Sequence, residues 1–163
     1  MKIIKWIVGL VLGAVALGAV GLGIARLVVD GPIAMFAGGS LGDHESPAPA
    51  DWSIANDHQT VAVEVRPEDP HSVTTISFVA DNELYIPASR GPEKEWPGIA
   101  VANGKARIRI GDTIYPVMLT RVERDSDAWA AAMKAAGAKY PQMAERMPDG
   151  PPDDVWLFHA ARR

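Results

Sequence analysis

The side chains able to do acid–base or metal chemistry are few and scattered. There are four histidines, His44, His58, His71 and His159, and no cysteine. Without a thiol, disulfides, thiolate catalysis, Cys-ligated zinc and thiolate-held iron–sulfur clusters are excluded. No pair of histidines has the H-x-x-x-H spacing that puts two imidazoles on one helix face. Asp57-His58 and Asp69-Pro70-His71 are carboxylate–imidazole neighbours, but nothing in the chain order brings them together. Asp149, Asp153 and Asp154 lack the spacing of a calcium loop and read as a solvated turn. Gly38-Gly39-Ser40-Leu41-Gly42 has the form G-x-S-x-G. A nucleophile elbow needs a buried strand before it and a helix after it, whereas prolines and acids follow here. The pattern reads as a turn.

The elements that would position any chemistry begin with an uncharged run. From Trp6 to Ala25 there is no charge, and twenty helical residues rise about 30 Å, the thickness of a bilayer core. The run exceeds the roughly 7–15 residues of a signal-peptide core, although Gly23-Ile24-Ala25 resembles a weak cleavage site. The expectation is a single-pass transmembrane anchor over residues 1–29. Lys2 and Lys5 precede the run, so the N-terminus is expected in the cytoplasm and the domain on the periplasmic or extracytoplasmic side. Gly9, Gly13, Ala14 and Gly18 give small-xxx-small spacings, which predict close approach of a second copy or a membrane-complex partner. Beyond Arg26 lie thirteen basic and all twenty acidic residues, a net −7 over 27–163. That excess argues against nucleic acid as a partner.

Residues 30–59 are expected to form a linker, rich in Gly, Pro and acids. The domain is expected over 60–163. Val61, Val63 and Val65 alternate with polar or small residues as a strand does. Ser72–Ala80 is a second β-branched run, and Asp81-Asn82 a tight hairpin turn into Glu83–Pro87. Glu93–Asn103 reads as a short helix in which Pro97 is tolerable only within the first turn. Lys105–Ile110 and Thr113–Glu123 are strands joined at Gly111-Asp112. Asp125-Ser126-Asp127 caps an Ala-rich helix, a helical turn follows at Tyr140–Arg146, and Asp154–Ala160 is a last strand. Trp96, Trp129 and Trp156 are expected in the core, with Trp52 fastening the linker to it. The tally is six strands and one or two short helices. This is a mainly β (α+β) chain that favours a small barrel over a Rossmann fold.

The stretch Tyr85-Ile86-Pro87-Ala88-Ser89-Arg90-Gly91-Pro92-Glu93-Lys94, continuing through Asn103-Gly104-Lys105 to Ile110, resembles the split β-barrel flavin-binding superfamily. That group includes pyridoxamine 5′-phosphate oxidases and deazaflavin-dependent nitroreductases. The resemblance spans about residues 60–160 and rests on a short motif. It implies that Ser89, Arg90 and Lys94 hold the phosphate of FMN or a deazaflavin. A hydroxyl, a guanidinium and an ammonium suit that task. It also implies that Thr74 and Thr75 face the ring, and that a dimer is plausible. Two roles follow. One is a membrane-tethered accessory or binding module without catalysis, a small subunit of a membrane complex. The other is an FMN- or deazaflavin-dependent oxidoreductase, in which the cofactor carries the chemistry.

Overall fold

The structure, a computed structural model, describes residues 2–28, 30–34, 36–66 and 68–163; side chains 2, 3, 5 and 22–28 lie outside that description. The chain divides into two compact units, Met1–Asp30 and Gly31–Arg163.

The first unit is helix α1 (Lys2–Val28). Its described apolar side chains are exposed around the whole circumference, Trp6 at 80% and Leu10 at 76% among them. Gly9, Gly13 and Gly18 have open space where a Cβ would stand. The transmembrane expectation is corrected here: among the described residues, no helix is long and apolar enough to cross a membrane. Residues 22–25, which the expected span needs, have side chains outside the described set. The single-pass topology and the extracytoplasmic placement of the domain fall with it.

The second unit is a seven-stranded antiparallel sheet of order β2-β1-β5-β6-β7-β4-β3. The strands are β1 (Val61–Val65), β2 (His71–Thr75), β3 (Phe78–Ala80), β4 (Glu83–Ala88), β5 (Lys105–Ile110), β6 (Thr113–Arg121) and β7 (Trp156–Arg162). Seven strands replace the expected six because the run Ser72–Ala80 breaks at Ile76-Ser77. Its two halves pair with β1 and β4, on opposite edges of the sheet. The break is held by α3 (Asp127–Lys139) and the residue after it. Lys139 Nζ donates to the Ser77 carbonyl at 2.9 Å and to the Ala55 carbonyl at 2.6 Å, and the Tyr140 hydroxyl donates to the Ser77 carbonyl at 3.1 Å. The two edges meet where the Thr75 hydroxyl donates to the Pro87 carbonyl on β4, 3.2 Å away.

Alternation along each strand sends one set of side chains inward. Val61, Val63, Val65, Leu84, Ile86, Ile108, Val117 and Phe158 form the barrel core, with Trp96 from α2 (Glu95–Ala102) closing over Phe158 at 5.3 Å between ring centroids. A smaller cluster lies between α3 and the outer face of β3, β4 and β7, built from Phe78, Tyr85, Trp129 and Leu157. Residues 31–59 pack against the barrel. Trp52 is fully buried and meets the edge of Tyr115. Glu64, 1% exposed, is gripped by Arg107 at 2.8 and 2.6 Å and accepts the Leu41 N–H at 2.7 Å. Arg107 also donates to the Gly42 carbonyl and to Ser40 Oγ. The G-x-S-x-G turn is thus strapped to the sheet by an arginine.

Candidate functional site

The loop singled out in the sequence leaves β4 at Ala88 and turns sharply at Arg90, whose backbone is left-handed (φ 53, ψ 45). A single 3-10 turn, Gly91–Glu93, follows, then Lys94 at the N-cap of α2. Gly91 is buried, and a Cβ there would fall 2.4 Å from Trp156 Cγ. Its N–H donates to the Asp154 carbonyl at 2.8 Å. Only glycine lets the backbone lie this close to the indole. Pro97 is the third residue of α2, inside the first turn, where its missing N–H breaks no helical hydrogen bond.

Of the five residues implicated by the resemblance, Ser89 and Lys94 are exposed on this loop and have no side-chain partner among the described residues. Arg90 is exposed but paired with Glu93 at 3.6 Å. Thr74 and Thr75 are adjacent on β2, so their side chains leave opposite faces of the sheet and cannot line one ring. Thr75 turns toward β4, where its hydroxyl meets the Pro87 carbonyl. Thr74 is opposite Ala62, on the face covered by Leu41 and Ile114.

The acids flanking Lys94 are both engaged. Glu93 pairs with Arg90. Glu95 pairs with Arg66 at 3.1 Å and lies 3.9 Å from His71 Nδ1. Each carboxylate is thus paired with an arginine rather than with Lys94, whose ammonium stays available to an anion. The Arg66–Glu95 pair joins the end of β1 to α2 across 29 residues, a separation no sequence motif reports. Arg121, on β6, lies over the ring of Trp156, its Cζ 4.1 Å from the ring centroid. Sequence reasoning placed Trp156 in the core; it is half-buried, between the loop and this guanidinium.

A second polar cluster sits on β4 and β7. Glu83 accepts from Arg162 at 2.8 Å and lies 3.0 Å from His159 Nε2. The Tyr85 ring lies 5.4 Å from the imidazole. Burial pushes the Glu83 carboxyl up, but the hydrogen bonds from His159 and Arg162 outweigh it and hold it below its usual value. Burial raises the Tyr85 phenol. Among the described residues, no group of three or more His, Asp or Glu could hold a metal.

No known sequence family and no curated protein matches the chain. Solved structures do. The fold resembles the heme storage protein HutZ from Vibrio cholerae, with TM-score 0.53 and 13% identity over 68% of this chain and 86% of that one. It also resembles an F420-H2 dependent reductase, FDR-A, with TM-score 0.52 and 17% identity over 73% and 99%. An FAD-binding protein from Mesorhizobium loti gives TM-score 0.50 and 10% identity over 72% and 92%. At these identities the likeness is one of fold. What the three share with this chain is the split-barrel fold.

Proposed function

We propose that the chain is a cofactor-binding split barrel that holds a phosphate-bearing flavin or deazaflavin by the loop Ser89–Lys94. The observation that carries this reading is the state of Lys94. It stands at the loop's end, unpaired among the described residues, while the acids on either side are drawn off by Arg90 and Arg66. The Ser89 hydroxyl and the Lys94 ammonium are the donors that would hold a phosphate, and charge-assisted hydrogen bonds are the contacts such a group takes. Arg90 and Thr75 are spent on internal partners, so they serve the shape of the loop and the closure of the barrel. When bound, the ring supplies hydride-transfer chemistry, and the protein supplies binding and orientation.

A second reading is an accessory module that binds without catalysis. It is favoured by the small number of free donors on the loop itself, Ser89 and Lys94. The deciding measurement is a visible absorption titration of full-length protein with FMN, repeated on Lys94→Ala with circular dichroism as a check on folding. Saturable binding that Lys94→Ala weakens at least tenfold, with the fold intact, supports the site. Equal affinity in both proteins sinks it. Bound FMN that no reductant and acceptor pair can turn over favours the accessory reading.

A further inference from the structure

We infer that Arg121, laid on Trp156, is a second anion-reading group of this site and takes the oxygens of a phosphate group. The inference rests on the cofactor reading for the identity of the ligand, but its physical basis is separate. Among the described residues, Arg66, Arg90, Arg107, Arg124 and Arg162 each have a carboxylate partner. Arg121 has none, although residues 27–163 carry seven more acids than bases. Arg146 and Arg163 also lack such a partner, but neither is held by an aromatic ring. Arg121 is therefore oriented without being neutralised.

Stacking explains how. The contact, with Cζ 4.1 Å from the ring centroid, is between cation and π face and uses none of the guanidinium's N–H donors. No hydrogen bond consumes those donors among the described residues. Trp156 is positioned from the loop side by Gly91, whose backbone touches the ring at a distance no side chain permits. One indole thus meets both the Ser89–Lys94 loop, at Gly91, and the Arg121 guanidinium. A planar fork of donors matches two oxygens of a phosphate better than a point charge does. The alternative role for Arg121 is a lid that shields the half-buried indole from water.

The test uses full-length protein, FMN, riboflavin (the same ring without phosphate) and inorganic pyrophosphate, with Arg121→Gln and Arg121→Lys. Arg121→Gln should weaken FMN about tenfold and leave riboflavin unchanged, and Arg121→Lys should restore only part of the loss. If wild type binds no FMN, pyrophosphate should still move the Trp156 indole N–H resonance, assigned by its absence in Trp156→Phe, and Arg121→Gln should abolish the movement. That result keeps the subsite while the cofactor reading falls. If Arg121→Gln lowers only the melting temperature, and neither FMN affinity nor the pyrophosphate response depends on residue 121, the inference is overturned and Arg121 is a lid.

Discussion

Glu83 couples the β4–β7 cluster to pH. Its carboxyl is held below the usual 4.5 in the folded chain. An acid with a depressed folded pKa contributes stability above its unfolded value, and loses that contribution as pH falls through the folded one. Glu83→Gln should therefore flatten the acid limb of the stability curve below about pH 4.5, as measured by urea melts across pH. An unaltered limb would mean that His159 and Arg162 leave Glu83 untuned. Glu64 is a different case, because it is buried and its charge has one strong partner. Glu64→Gln should cost up to about 3 kcal/mol, because Arg107 then keeps only Glu45, 3.4 Å away and more exposed, and should expose residues 40–45 to proteolysis. Single residues were the least legible part of the sequence. Ser89 and Lys94 lie on the loop where the resemblance put them. Thr74 and Thr75, neighbours on β2, leave opposite faces of the sheet. Arg121 with Trp156, and Arg66 with Glu95, are partners made by strand pairing and helix placement, which no local spacing encodes.

At the level of elements, local chemistry was readable where it is local. Asp81 and Asn82 both have positive φ (51 and 65), as a two-residue hairpin turn requires. The Ser126 hydroxyl accepts from the Trp129 N–H and caps α3 as expected. The β2–β3 break was not readable. Ser72–Ala80 is uniformly β-forming, and what bends it is α3, more than fifty residues later, through Lys139 and Tyr140. The decisive element for the site is the 3-10 turn after β4. Gly91→Ala would force a methyl into Trp156, and overpacking of this kind costs about 1–3 kcal/mol. Thermal melting should drop accordingly, and FMN affinity should fall because the loop is displaced. A variant with wild-type melting and wild-type affinity would show that the loop gives way freely.

For the molecule as a whole, the hydrophobic clusters draw their buried residues from 41–160, and α1 contributes none among the described residues. Removing residues 1–28 should leave the urea midpoint of the barrel unchanged; a large drop would mean that α1 supports the fold. Composition and alternation were enough to indicate a small barrel, and the alternation read over Lys105–Ile110 is the burial pattern of β5. The same uncharged run that suggested a membrane span did not yield one among the described residues. The strand order has a kinetic consequence. β1 pairs with β2 nearby in sequence, but its other neighbour is β5, some forty residues away, and β7 must insert between β6 and β4 before the sheet is continuous. Such non-local pairing requires long loops to close before contacts reward them, which places folding in milliseconds to seconds rather than microseconds. β7 is thus the piece the sheet needs to join its halves, so the barrel stays open until that one strand has docked.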